Sequence, residues 1–387
     1  MAVENWVSRE IAELTAFRRD LHENPELLYE THRTAAKVAG ALRAAGCNEV
    51  IEGIGRTGVV GVIRGRAAGR TIGLRADMDA LPIQEATGLP FASKVPGKMH
   101  ACGHDGHTTM LLGAARHLAE TRAFDGTVIV IFQPAEEGGA GALAMIEDGL
   151  FDRWPCDEVY GMHNMPNLPL GQFTTCKGPN MGAVDMLDIT ITGKGGHAAQ
   201  PHHSVDPMPA LAGIVQAIHG MSARSIDPFD SHVVSLCVVE GGDAFNVIPQ
   251  QITVKGTVRT LSETVRDHVE ARVRTIVENI AAGNACIGQV SYERSYPVLV
   301  NHDLETEFAA EAARTVAGAE NVSLSMTPTL GGEDFAFMLQ KVPGCMINVG
   351  NGSSANLHHP EYAFNDAVIG WGCSYWVQLV RDRLNGN

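Results

Sequence analysis

The chain opens on apolar positions spaced as on one face of a helix, Ile11, Leu14, Phe17 and Leu21, and the pair Asn24-Pro25 ends that rhythm. A second helix is predicted over 34–45, before Gly46. Apolar runs at 59–63, 71–74 and 127–132 are strand-sized, and segment 108–121, ahead of the last of them, has helical spacing. Strands alternating with helices in this way predict a layered α/β domain.

The rhythm changes near Ala183 and stays changed as far as Tyr296. Strand 186–192, helix 209–221, strands 232–239 and 251–260, helix 263–282 and strand 288–296 follow in turn. That β-α-β-β-α-β order is the split βαβ, or ferredoxin-like, unit. Gly178-Pro179 before it and Pro297 after it read as linkers, and helical text returns at 304–317, with a short strand near 346–349. The expected organisation is a larger domain over 1–182 and 297–387, interrupted by a smaller one over 183–296. Neither an internal repeat nor a low-complexity tract is visible.

Composition narrows the function classes. With 387 residues, 45% of them hydrophobic and 19% charged, the chain has enough apolar material for a sizeable core. Forty-four acidic against 29 basic side chains give a net charge of −15 with no basic run, which argues against nucleic acid or an anionic membrane as partner. The longest apolar stretches fall far short of the roughly 18 residues that cross a bilayer. Charges interrupt the N-terminal segment where a signal peptide needs an apolar core, so a soluble, cytoplasmic protein is expected. Eight scattered cysteines without a CxxC pair fit a reducing compartment.

Candidate chemistry sits in the loops. The densest cluster is Met99-His100-Ala101-Cys102-Gly103-His104-Asp105-Gly106-His107, just before a predicted helix. An isolated Cys-x-His is more often a small buried hydrophobe beside a satisfied histidine than a metal site. Gln133-Pro134-Ala135-Glu136-Glu137 adds two adjacent carboxylates directly after a strand, where α/β folds place their sites, although a solvated helix start would also favour glutamates there. His163 follows a third strand-like run, and Asn356-Leu357-His358-His359-Pro360 lies near the C-terminus. Arg75-Ala76-Asp77-Met78-Asp79 ends another strand; its carboxylates could bind, orient a ligand histidine or cap a turn, and the orienting role suits Asp79. Ligand-type side chains on so many separate strand ends make coincidence a poor explanation, and a metal centre is the better one. The glycine-rich loops at 138–141 and 193–196 lack the arrangement of a phosphate-binding loop, and Cys102 has no neighbouring cysteine for thiol redox exchange.

In order and over nearly the whole chain, RADMDALP, MHACGHDGHTT, QPAEEG, GMHN, GKGGHAAQPHHSVDP, GGDAFNVIP, GTVRT, GGEDF and LHHP resemble the M20 metallopeptidase family. They are most similar to its amidohydrolase branch, which includes hippurate hydrolases, N-acyl-amino-acid hydrolases and plant auxin-conjugate hydrolases. The resemblance implies a three-layer αβα zinc-peptidase-like catalytic domain with an inserted ferredoxin-like α+β lid. It also implies two divalent ions per chain, manganese or zinc with cobalt or nickel as alternatives, held by Cys102, His104, Glu137, His163 and His358. Glu136 matches the general acid/base, His197 an oxyanion donor supplied by the partner subunit, and Asn246 and Arg259 the positions that receive the product's carboxylate. The implied activity is amide hydrolysis of N-acyl-amino acids by a homodimer or homotetramer joined through the lid. A dipeptidase of the same family is the runner-up, and a non-catalytic ligand-binding homologue a third reading. One departure stands out: the wider family has His-x-Asp where this chain has Asp77-x-Asp79, which leaves the role of Asp77 open.

Overall fold

The apolar stripe at the amino end makes the first two helices. In the computed structural model, in which residues 5–385 are described, α1 (Asn5–Glu23) buries Val7, Leu14 and Leu21, and α2 (His32–Ala44) buries Val38, Ala39 and Leu42. Five strands follow: β1 (Glu49–Ile54), β2 (Gly58–Arg64), β3 (Thr71–Asp77), β4 (Thr127–Gln133) and β5 (Glu158–Pro166). They form an eight-stranded sheet in the order β1-β2-β4-β3-β5, extended by strands Gly344–Gly352, Phe173–Thr174 and Val322–Ser323. β4, β3, β5 and Gly344–Gly352 are mutually parallel, so their C-terminal ends open along one edge of the sheet, where open α/β sheets keep their ligands.

The central strands show no hydrophobic alternation because both faces are covered. Gly161 on β5 faces Phe335 of the short helix Phe335–Leu339, whereas its neighbour Met162 meets Gly372 of the helix Val368–Leu384 on the opposite face. The result is a three-layer αβα arrangement. α3 (His104–Thr121) starts at His104, ahead of the start read at residue 108, because its polar first turn of His104, Asp105 and His107 is itself buried. Helix Val368–Leu384 was not visible as an amphipathic pattern: Ile369, Tyr375, Trp376, Leu379 and Val380 bury it on nearly every side. No helix among the described residues is long and apolar enough to cross a membrane.

A second compact unit comprises Pro179–Leu299 with Pro328–Glu333. Its antiparallel sheet runs His232–Glu240, Gln251–Thr260, Ala183–Thr192, Ile287–Arg294, with helices Pro207–Ser225 and Glu263–Gly283 against one face. Here alternation is clean: Leu187, Ile189 and Ile191 point into a core with Ile214, Ile218, Val269 and Val273, while Met186 and Asp188 face outward. Asp206 caps the first helix by accepting the Met208 N–H at 2.9 Å, and Pro207 fixes its first turn. Inside this unit the buried Arg266 donates to both oxygens of the buried Asp185 at 2.5–3.1 Å, and Tyr292 Oη donates to the same carboxylate at 2.8 Å. Removing the guanidinium strands a buried carboxylate, so Arg266→Met is expected to cost about 3–5 kcal/mol. Urea unfolding measures this, and a loss below about 1 kcal/mol would show that the pair is no better than a surface one.

Candidate metal centre

Four parallel strand ends and one helix start supply the polar side chains. β3 stops at Asp77, with Asp79 two residues on; β4 leads into Glu136 and Glu137; β5 carries His163; and the loop after Gly344–Gly352 brings His358. Cys102 and His104 flank Gly103, whose φ of 89° is left-handed and whose hypothetical Cβ would lie 2.4 Å from Asn164 Nδ2 and 2.5 Å from Tyr362 Oη, so only glycine fits there. Asp79 grips the glutamate loop, its Oδ1 accepting the Glu136 N–H at 2.9 Å and its Oδ2 the Glu137 N–H at 3.1 Å. The loop's Ala135 and the ligand-type His358 both hold left-handed backbones, φ 54° and 64°, which cost energy outside glycine and collect at functional sites. His358 is tied to the cysteine loop through its N–H, which donates to Ala101 O at 2.8 Å.

These segments bring the donors together. One ligand atom each from Cys102, His104 and His163 lies within 4.8 Å of the others, and the same holds for Cys102, Glu137 and His358. Cys102 therefore belongs to two clusters at once. His104, Glu136 and Glu137 form a third group of the same size, which puts the Glu136 carboxylate against the centre. His163 donates from Nδ1 to Asn164 O at 2.6 Å, leaving Nε2 with a free lone pair 3.4 Å from Cys102 Sγ.

The electrostatics of the pocket test whether a cation fits. Burial alone would push His104 down, yet Asp77, Glu137 and Asp79 raise it to about 10. Burial pushes the Cys102 thiol well up, and Glu137, Glu136 and Asp77 push it further, while burial likewise raises Asp79. Burial also depresses His163, with the neighbouring His107 adding to it, so its ring stays neutral. Among the described residues, both ring nitrogens of the buried His104 and Oε1 of Glu137 lack hydrogen-bond partners. His104 Nδ1 sits 3.5 Å from Asp79 Oδ1, and its Nε2 sits 3.7 Å from Glu137 Oε1 and 3.8 Å from Asp77 Oδ2. Unsatisfied buried donors in a negative field are what divalent cations compensate, and the mix of thiolate, imidazole and carboxylate suits first-row ions.

Asp77, left open by the sequence, is engaged by protein groups: Arg75 Nη1 donates to its Oδ2 at 2.8 Å and His107 Nδ1 to its Oδ1 at 2.7 Å. Burial opposes ionisation there, but the charges of His104 and Arg75 and the hydrogen bond from His107 overcome it and hold the carboxyl well below the ordinary range. The sequence reading assigned no role to Arg75, His107, Asn164 or Tyr362. The signal available for His107 was its position three residues beyond His104 on one helix.

His197, Asn246 and Arg259 lie on the smaller unit. His197 and the residue after Asn246 pair across a two-stranded ladder, and Asn246 O accepts the Ala198 N–H at 3.0 Å. His197 Nδ1 accepts the Ala199 N–H at 3.0 Å, so its Nε2 carries the proton and is free to donate. Arg259 donates to Thr257 Oγ1 and to Val258 O, and among the described residues it forms no ion pair. Arg266, seven positions on, is the arginine that pairs with Asp185.

Residues 73–382 match Peptidase family M20/M25/M40. The chain belongs to that family. A hippurate hydrolase of Campylobacter jejuni is 41% identical to this M20 chain over 368 residues, 95% of this chain and 96% of its own length. An N-acetylcysteine deacetylase of Bacillus subtilis is 40% identical over 372 residues, with the same two coverages of 95% and 96%. The crystal structure of a dinuclear metal binding peptidase of the M20 family, also from Bacillus subtilis, overlays with a TM-score of 0.86 at 36% identity, covering 97% of this chain and 99% of that one. Because Asp79 holds the backbone of both glutamates in this M20 chain, Asp79→Ala is expected to lower metal affinity and turnover about 10- to 100-fold. Competition with a chromophoric chelator reads the affinity, and a wild-type value would deny Asp79 that orienting role.

Proposed function

We propose that the chain hydrolyses the amide bond of N-acyl-amino acids at this centre. The observation that carries the reading is Cys102, shared by two donor clusters at the C-terminal ends of parallel strands, with Glu136 beside them. In this reading Cys102, His104, Glu137, His163 and His358 hold two divalent ions, manganese or zinc. Ions bound there polarise the scissile carbonyl and let water act as nucleophile at neutral pH. Glu136 takes the proton of the attacking water on its carboxylate and returns it to the departing amine nitrogen. His197 donates its Nε2 proton to the oxyanion, a role its tautomer supports. The half-buried Arg259, lacking a carboxylate of its own, receives the α-carboxylate of the amino-acid part, with Asn246 beside it.

The smaller unit is proposed as a lid over 183–296 that also joins two chains as a homodimer. Its edge strand His232–Glu240 supports this: it exposes Val233, Val238 and Val239 along an unpaired ladder edge, a template for a second copy. All eight cysteines are free, which supports a reducing, cytoplasmic setting.

Chelation is expected to abolish turnover of N-benzoylglycine and N-acetyl-amino acids, and Mn²⁺ or Zn²⁺ to restore it. Glu136→Gln is expected to keep its metal while losing about 10²- to 10⁴-fold in kcat; metal loss in that variant would reassign Glu136 as a ligand. Faster cleavage of free dipeptides than of any N-acyl-amino acid would favour a dipeptidase. Arg259→Ala is expected to cost about 10- to 100-fold in kcat/KM, mostly through KM, on substrates with a free carboxylate. The same loss on the corresponding carboxamides would count against carboxylate recognition.

A further inference from the structure

The histidine-rich helix start contains one imidazole that the metal-centre reading does not use. His107 is buried, and both of its ring nitrogens are committed to protein groups. Its Nε2 accepts the backbone N–H of Asn164 at 2.9 Å and lies 3.0 Å from Asn164 Nδ2, so Nε2 carries no proton. Nδ1 therefore carries it, and donates to Asp77 Oδ1 at 2.7 Å. Asp77 is in turn fixed by Arg75, and its backbone carbonyl accepts Thr108 Oγ1 at 2.7 Å. His107 has no lone pair left for an ion.

Asn164 is the hub on the other side. Its Nδ2 donates to Cys102 O at 2.7 Å, its Oδ1 accepts Tyr362 Oη at 2.7 Å, and its own carbonyl accepts His163 Nδ1 at 2.6 Å. The residue is fully buried, as are Asp77 and Tyr362. One asparagine thus touches the backbone of the cysteine loop, the ring of His163 and the segment four residues after His358. β5 is paired with strand Gly344–Gly352 through this residue, and the Asn164 N–H rests on His107.

The geometry points to His107 and Asn164 as positioning residues that set the mutual placement of Cys102 and His163. The inference rests on the metal-centre reading and deepens it: the acceptor at His107 Nε2, rather than any charge on that ring, is what the ligands depend on. Second partners of metal ligands typically matter by about 10- to 100-fold in affinity or activity.

Two substitutions separate the two ends of the ring. His107→Gln places an amide oxygen near the Nε2 position and keeps an acceptor for Asn164, whereas His107→Asn keeps a donor towards Asp77 and removes that acceptor. The probe is Co²⁺ alone, titrated into metal-free full-length protein, read by competition with a chromophoric chelator and by the sulfur-to-cobalt absorption band that Cys102→Ser should remove. His107→Asn is expected to lose about 10- to 100-fold in Co²⁺ affinity and to shift that band, with His107→Gln close to wild type. Wild-type affinity and spectrum in His107→Asn, even with a lower melting temperature, would overturn the inference by reducing the ring to a structural part. Equal damage in both variants would overturn it too, since the retained acceptor would then count for nothing. A wild-type chain that takes up no Co²⁺, or shows no band dependent on Cys102, would overturn the metal-centre reading as well as this one.

Discussion

Charge balance among buried side chains is the constraint around which the larger unit is organised. Asp77, Asp79, Glu136, Glu137 and a thiol are gathered at the ends of parallel strands, and all but Glu137 are buried. Buried carboxylates need partners, and breaking such pairing is expensive. On the strand side the partner is Arg75, which reaches Asp77 at 2.8 Å and Asp334 at 3.1 Å. Gln133 and the N–H of Ala142 also donate to Asp334. On the loop side the groups facing Glu137 are His104 and His358, whose nitrogens lie 3.7 and 3.5 Å away. Divalent cations held by these residues would complete the balance on that side.

The same constraint separates side chains that look alike in sequence. His104 and His107 share one helix face, yet His104 keeps two unsatisfied nitrogens while His107 is held by Asp77 and by the Asn164 N–H. Asp77 and Asp79 alternate on one strand end, but the first is held by Arg75 and His107 and the second holds the glutamate loop. Each functional assignment follows from which lone pairs the protein has already used.

Much of this was legible in the sequence because α/β folds concentrate chemistry at strand ends. Cys102, His104, Glu136, Glu137, His163 and His358 stood out as candidates beside apolar runs or a helix start, and their proposed roles came from the family resemblance. The β-α-β-β-α-β order of the smaller unit was equally plain, its strand Ala183–Thr192 burying one face in clean alternation. Helix Val368–Leu384 was not, since burial on nearly all sides erases the stripe that reveals a helix. The division of labour between His104 and His107 was also hidden: it depends on an N–H 57 positions along the chain. Nor could spacing distinguish Arg259 from Arg266; the carboxylate that claims Arg266, on helix Glu263–Gly283, is Asp185 of strand Ala183–Thr192.

The central claim is that Cys102 is shared by two ions. It is tested most directly by anomalous diffraction from crystals of the manganese-loaded protein, recorded on both sides of the metal edge. Two peaks per chain are expected beside Cys102 Sγ, one towards His104 and His163 and the other towards Glu137 and His358. A single peak, or a peak ligated by His107, would contradict it.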